Sequence, residues 1–213
     1  MLQNITIKSV VKRLPIYLDY LRDVTKKETS IKYISSKKIS DDLELGEVQV
    51  RKDLSLISGK GKPKIGYEIE ALTSTIESYL GCNQIKKAIL IGVGKLGSAL
   101  LNYEGFRTYG IEIVCGFDRQ KDTSIQNIPV KELCNENLNK IFSENQIDIG
   151  IICVPKNEAQ AVCDILVSFG VCAIWNFAPV VLKVPKNVLV QNENLAYSLS
   201  IVSSVINKNN NQQ

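Results

Sequence analysis

Residues 88–103 read AILIGVGKLGSALLNY, an apolar run that breaks into closely spaced glycines and resumes as a helix. Ala88 to Ile91 are apolar without interruption, as in a strand covered on both faces, and the break is Gly92-Val93-Gly94-Lys95-Leu96-Gly97. Each glycine has its own physical role. Gly92 permits a tight turn, Gly94 lets backbone approach a pyrophosphate, and Gly97 lets helix and strand pack closely. The phosphates of a dinucleotide then meet free N–H groups at the helix N-terminus. A lone glycine pattern is weak, and here its context carries the reading. A second apolar segment, IEIVCGFD, ends at Asp118, 21 residues after Gly97, where a carboxylate accepts the ribose hydroxyls of the adenosine half. Arg119 follows and could attract a 2′-phosphate. The carboxylate at the strand tip repels one, so NAD(H) is favoured over its phosphorylated form.

Two further apolar segments follow, IDIGIICVP (Ile147–Pro155) and VCAIWNF (Val171–Phe177), separated by the amphipathic stretch NEAQAVCDILVSFG. Strands alternating with helices predict an α/β unit with a doubly wound parallel sheet, placed over residues 85–192. Ligands of such sheets lie beyond the carboxyl ends of the strands. That puts Val154 and Pro155, and the turn Asn176-Phe177-Ala178-Pro179, at the cofactor crevice. The plainer alternative for that turn is a strand end before Pro179.

The segment ahead of the glycine loop has a different character. Through Gly66 there are 14 Lys and Arg against 8 Asp and Glu, and beyond it 12 against 14, within a net charge of +4. Basic charge at the front suits a polyanion. Ser35 or Ser36 caps a short helix with Ile39 and Leu43 on its apolar face, Gly46 permits a turn, and a second helix begins near Glu47. On that second helix Val50, Leu54 and Ile57 face a core, which leaves Gln49, Arg51, Lys52 and Ser55 towards solvent. This is helix-turn-helix spacing, with basic and amide groups offered to a major groove. SGKGKPKIGYEI then sets Lys60, Lys62 and Lys64 among glycines and a proline, ahead of alternating Ile65, Tyr67 and Ile69, which predicts a β-hairpin wing with a basic tip. Ile69, Leu72, Ile76 and Leu80 mark a connector helix that closes this unit, residues 1–80. The residues expected at DNA are therefore Ser35, Ser36, Gln49, Arg51, Lys52, Ser55, Lys60, Lys62 and Lys64.

At the far end Leu195, Leu199, Val202 and Ile206 form the stripe of a last helix, assigned to residues 193–206, and NKNNNQQ, residues 207–213, reads as a disordered tail. The stripe packs either on its own sheet or on a second subunit. The six cysteines contain no C-x-x-C pair and the chain has no histidine, so no metal site is expected and the thiols read as small buried hydrophobes. No run reaches the roughly 18 apolar residues of a membrane span, and the first residues lack the apolar core and cleavage site of a signal peptide. A cytoplasmic protein without membrane contact is expected.

Taken in order, KRLPIYL, SSKKI, VQVRKDLS, IGY, GVGKLGSALLNYEGF, FD, IGIICVP and NFAP resemble the Rex family of bacterial redox-sensing transcriptional repressors over nearly the whole chain. The resemblance implies a homodimer with an N-terminal winged helix-turn-helix domain, a C-terminal Rossmann domain and a final helix exchanged between subunits. It implies that the dimer binds double-stranded operator DNA and releases it when NADH binds. It places Arg51 and Lys52 on DNA, Gly92 to Gly97 on pyrophosphate, Asp118 on ribose, and Tyr103 with the 176–179 turn near the nicotinamide. It also implies a switch in which an arginine of the first helix, here Arg13, pairs with an aspartate opening the exchanged helix, where this chain has Asn194. Asparagine keeps a hydrogen-bond acceptor and loses the charge, so a weaker response to NADH than the family's is expected. The wing differs as well, with ISGKGKPKIGY where the family commonly has F-G-x-F-G before its Gly-Tyr.

Two other classes are open. An NAD-dependent dehydrogenase needs a proton donor or acceptor beside the nicotinamide and usually a substrate domain. The chain has no histidine and little sequence beyond the NFAP turn, although Tyr103 or a lysine remains available. A nucleotide- or CoA-binding module that never touches DNA has no use for a basic front. A DNA-binding sensor of NAD(H), not an enzyme, is the function expected.

Overall fold

A computed structural model describes residues 9–28, 30–119 and 123–210. The chain divides into two units, Met1–Gln84 and Ile85–Gln213. The first is built on helix periodicity. α1 (Leu14–Lys27) carries Pro15 in its first turn, where no intrahelical bond is lost, and buries Leu14, Tyr17, Leu18 and Leu21 along one face. β1 (Tyr33–Ile34) leads into α2 (Ser36–Asp42), whose start is capped by Ser35: its Oγ accepts the Lys38 N–H at 3.0 Å. α3 (Glu47–Ser58) buries Val50, Asp53 and Leu54. β2 (Tyr67–Glu68) pairs antiparallel with β1, and α4 (Ile69–Leu80) buries Ile69, Leu72 and Ile76 before ending at Gly81 in the left-handed region.

Two expectations change in this unit. Gly46 does not make the turn between α2 and α3: its backbone is extended (φ −70°, ψ 123°), and the left-handed residue is Glu44 at φ 53°. The end of α2 closes as a Schellman motif, with the Leu45 N–H reaching the Ser40 carbonyl at 2.9 Å, and that bond holds Glu44 in place without a glycine. The wing is also smaller than a full hairpin. One antiparallel bridge, Lys62 to Gly66, holds a tight turn with Lys64 at φ 63°. Pro63 has no N–H to donate, Tyr67 and Glu68 are taken by β1, and Ile69 opens α4 instead of continuing a strand.

In the second unit β3 (Lys86–Ile91), β4 (Ile111–Asp118), β5 (Thr123–Ile125), β6 (Ile128–Glu132), β7 (Ile147–Ile152), β8 (Ala173–Asn176) and β9 (Leu189–Asn192) form a seven-stranded sheet in the order β5-β6-β4-β3-β7-β8-β9. Every pairing is parallel except β5 with β6. Without β5 this is the 3-2-1-4-5-6 order of doubly wound dinucleotide-binding sheets, with its switch point at the carboxyl end of β3. The helices are α5 (Lys95–Leu101), α6 (Gly105–Thr108), α7 (Asn135–Glu144), α8 (Ala159–Ser168) and α9 (Leu195–Asn210). Alternation along β3 feeds two cores. Ile89 and Ile91 pack with Phe117, Leu138 of α7 and Val162 of α8, while Ala88 and Leu90 pack with Leu101, Ile113 and Val130.

The β5–β6 hairpin is absent from the sequence reading. Its two turn residues, Gln126 (φ 46°) and Asn127 (φ 67°), are both left-handed, the arrangement that matches the twist of a tight hairpin. α9 runs to Asn210, past Ile206, so residues 207–210 are helical and do not begin a disordered tail. Neither glycine nor proline interrupts them. Residues 211–213 of the expected tail lie outside the described residues. Leu195, Leu199, Val202 and Ile206 are all exposed, each by half or more. The cysteines are all free, but only Cys115 and Cys163 are buried and Cys172 is exposed. Among the described residues no helix is long and apolar enough to cross a membrane.

Candidate functional site

In the first unit α2, α3 and the Lys62–Gly66 turn enclose a groove of about 720 Å³. It is lined by Ser35, Ser36, Arg51, Lys52, Ser55, Lys60, Lys62 and Lys64, joined by Lys37 and Tyr67. Arg51, Lys52 and the three wing lysines are exposed. Lys62 Nζ lies 5.5 Å from the Tyr33 ring centre, a cation–π contact that orients it. Gln49 does not line the groove. Its Nε2 donates to Asp53 Oδ1 at 2.7 Å, so the amide is turned along its own helix.

That carboxylate is a functional support the sequence reading missed. Asp53 is 1% exposed and accepts from Arg13 Nε (2.6 Å), Arg13 Nη2 (2.9 Å), the Tyr17 hydroxyl (2.8 Å) and Gln49. Burial alone raises a carboxyl pKa. Here the bonds from Arg13, Tyr17 and Gln49, with the charge of Arg13, outweigh it and hold Asp53 below its ordinary value. Burial, then the bond to Asp53, pushes the Tyr17 phenol up to about 12. A signal was present: in VQVRKDLS the aspartate sits one turn after Val50 on the apolar side, where an acid needs partners. Two of those partners, Arg13 and Tyr17, lie 40 and 36 residues away.

The same geometry bears on the two residues named for the switch. Arg13 is bound in a two-pronged grip to Asp53 within its own unit. Asn194 is engaged in the other, where its Oδ1 accepts the Tyr197 N–H at 3.0 Å and caps α9.

At the end of β3 lies a cavity of about 500 Å³ lined by Gly92, Gly94, Phe117, Asp118, Arg119, Cys153, Val154, Pro155 and Glu158 among others. Gly92 has φ +98°, and a Cβ there would stand 2.7 Å from the Cys153 carbonyl carbon and oxygen. A Cβ on Gly97 would run into the Gly92 carbonyl oxygen. Gly94 is the opposite case: a Cβ there meets nothing within 4 Å, leaving open space beside the backbone where a pyrophosphate fits. Val93 is buried, Lys95 exposed and Leu96 half-buried. Asp118 fastens the loop to the strand tip. Its Oδ2 accepts the Val93 N–H and its Oδ1 the Arg119 N–H, both at 2.7 Å, and each oxygen keeps a further lone pair. Arg119 Nη2 in turn meets Glu158 Oε1 at 2.7 Å. Glu158 is absent from the residues expected from sequence. Burial pushes the neighbouring Cys153 thiol up to about 12, so it is protonated and unreactive at neutral pH.

The remaining expected cofactor residues do not line this cavity. Tyr103 is 61% exposed and borders a separate cavity of about 630 Å³ with Phe106, Gln126 and Asn127. An edge-to-face chain, Tyr103 to Phe106 to Trp175 to Phe177, with ring centres 5.0, 5.6 and 4.5 Å apart, joins it to the 176–179 turn. In that turn Asn176 is fully buried and has a structural role. Its Nδ2 donates to the carbonyls of Ala178 (3.1 Å) and Val180 (2.9 Å) and to Asn192 Oδ1 (2.9 Å), and its Oδ1 accepts the Ala178 N–H (3.0 Å). Both amide protons are committed, so no donor is left for a ligand. Ala178 is buried and Pro179 exposed. Among the described residues no group of three or more His, Cys, Asp or Glu is placed to hold a metal ion.

Comparison with known proteins matches both units. Residues 83–180 match the family described as "CoA binding domain", and residues 7–55 the family described as "Putative DNA-binding protein N-terminus". The redox-sensing transcriptional repressor Rex of Clostridioides difficile is 41% identical over 198 residues, 92% of each chain. That of Treponema denticola is 36% identical over 208 residues, 96% of this chain and 97% of its own. Among solved structures, RSP in complex with beta-NAD+ and operator DNA gives a TM-score of 0.87 at 36% identity, covering 95% of this chain and 93% of that one. RSP in complex with beta-NADH gives 0.80 at the same identity, covering 95% and 94%.

Proposed function

The chain belongs to the Rex family of redox-sensing transcriptional repressors, and from that premise we propose how its two sites divide the work. It is a DNA-binding repressor that senses NAD(H), and not an enzyme. The basic groove of the first unit holds operator DNA: Arg51, Lys52 and Ser55 of α3 face the major groove, and Lys60, Lys62 and Lys64 meet phosphates. The cavity at the end of β3 holds NAD(H), with Gly92 to Gly97 on the pyrophosphate and Asp118 on the adenosine ribose. Tyr103 and the turn at Phe177 stand towards the nicotinamide, whose oxidation state is the signal the bound dinucleotide supplies.

The observation that carries this reading is the coexistence, in one chain, of a groove lined by exposed cations and a glycine loop left open at Gly94 beside a strand-tip carboxylate. The exposed stripe from Leu195 to Ile206 supports a homodimer in which α9 packs on a second subunit. Its place is the cytoplasm, where operator DNA lies.

Two measurements test the division. Gel-shift binding to a Rex-type palindrome should fall steeply with salt, by roughly a thousandfold or more between about 50 and 200 mM if six to ten phosphates are neutralised. A flat salt dependence removes DNA from the account. Light scattering on the chain truncated after Glu193 should find monomers or aggregates, and an intact dimer would place the interface elsewhere.

A further inference from the structure

Arg119 lies one residue past the strand-tip carboxylate and lines the same cavity. A guanidinium at that place is the group a ribose 2′-phosphate seeks, because its planar fork grips phosphate oxygens. In this chain one prong of the fork is already engaged, with Nη2 2.7 Å from Glu158 Oε1. Glu158 is positioned by the fold. It immediately precedes α8, its carbonyl accepts the Val162 N–H at 3.1 Å, and the unpaired N–H groups of that helix end favour a carboxylate. Its side chain is 26% exposed against 75% for Arg119, so the acid is the fixed member and the arginine comes to it.

We propose that Glu158 closes this site to 2′-phosphorylated dinucleotides by holding Arg119, the cation their phosphate needs. The inference rests on the reading of this cavity as the NAD(H) site. Among the described residues lining it, Asp118 and Glu158 are the carboxylates and Arg119 the cation. The set is already one charge negative before any ligand enters. A 2′-phosphate adds between one and two further negative charges and meets a guanidinium whose charge Glu158 already counters. NAD(H), with a free 2′-hydroxyl, needs only an acceptor from Asp118 and leaves the Arg119–Glu158 pair intact. Aspartate alone repels the phosphate; glutamate takes up the one cation among the described lining residues, and the two act together.

The test is titration of the full-length protein with NADH and NADPH in parallel, read as the ratio of the two affinities. The unaltered chain should favour NADH by roughly tenfold or more. Glu158→Gln keeps the shape, removes the charge and releases Arg119, and the NADPH-to-NADH affinity ratio should rise by about tenfold. Adding Arg119→Ala to that variant should cancel the gain. Arg119→Ala alone should leave NADPH binding nearly as it was, because Glu158 already counters the guanidinium's charge. An unchanged ratio in folded Glu158→Gln overturns the proposal, as does a gain that survives loss of Arg119, or NADPH binding that falls in Arg119→Ala alone. NADH failing to bind the unaltered chain overturns the reading of the cavity itself, and the proposal with it.

Discussion

In the groove between α2, α3 and the Lys62–Gly66 turn, the charged lining groups are cations at the ends of long, exposed side chains. Around the cavity at the end of β3 the defining features lie in the backbone: the turn at Gly92 and the open approach at Gly94, in a loop tied to Asp118 through the Val93 N–H. Binding at the first surface would rest on charge, which acts over several ångströms and is shared among neighbours, so single changes should have graded effects. Binding at the second would rest on shape, where one methyl group decides whether ligand or chain fits. Each is braced by one aspartate. Asp53 is buried and lines no cavity wall of the groove, whereas Asp118 both ties the glycine loop and lines the cavity.

Asp53→Ala should produce the largest effect in either region. It leaves Arg13 without its counter-charge and Tyr17 and Gln49 without their acceptor, which costs about 3–5 kcal/mol, read by denaturant unfolding of the first unit. A loss below about 1 kcal/mol would mean that the charged face needs no buried brace. The pH dependence has a definite sign. Asp53 is held below its ordinary pKa of 3.8 in the folded chain, so its stabilisation is complete above about pH 4 and is lost as pH falls through the lower folded value. Asp53→Asn should flatten that acid limb in a pH series of unfolding curves.

Next come the glycines, which sharpen the contrast within the sheet unit. Gly92→Ala forces a left-handed backbone and a contact with Cys153, and should destabilise the unit by roughly 1–3 kcal/mol from the backbone alone. Gly94→Val, with no atom within 4 Å of its Cβ, should fold normally and lose NADH binding in calorimetry. Full NADH affinity in folded Gly94→Val would remove the pyrophosphate from this loop.

Smaller effects are expected where charge is shared. Arg51→Ala should weaken preferred-operator binding by about 1–3 kcal/mol if the guanidinium reads a guanine, and Lys62→Ala should weaken all sequences alike while lowering the salt slope by about one. Equal affinities in both variants would show that the groove is not the reading surface. Asn194→Asp should have the finest effect. It keeps the cap on α9 and restores a charge, so the operator response to NADH should steepen by a fraction of the roughly 1–3 kcal/mol typical of allosteric coupling. An unchanged ratio of operator affinities with and without NADH would clear Asn194 of weakening the switch.

The sheet unit was legible where a signal is local. The run Ala88–Ile91, the glycine spacing and Asp118 lie close in sequence, and each constrains its neighbours. The helix-turn-helix was legible for the same reason, because Val50 and Leu54 repeat at helix period and Ser35 caps the helix that starts at Ser36. The hidden features depend on groups far apart or on conformations that side chains do not advertise. Glu44 takes the left-handed turn that Gly46 advertises, because the bond from Leu45 to Ser40 fixes it. Gln126 and Asn127 turn a hairpin without a glycine. Arg13 meets Asp53, and Arg119 meets Glu158, only once the chain has folded. Asn176 looked like a ligand residue because it ends a strand at the crevice, yet its amide is consumed in shaping the turn after it.

A sensor of this design requires that the shape-built cavity govern the charge-built groove. The direct measurement is operator affinity of the unaltered chain at one fixed salt concentration, with saturating NADH and with saturating NAD+, alongside calorimetry that verifies occupancy. Binding should weaken with NADH and persist with NAD+, by a smaller ratio than in Asn194→Asp. Equal operator affinity in the two states, with NADH shown to be bound, would contradict it.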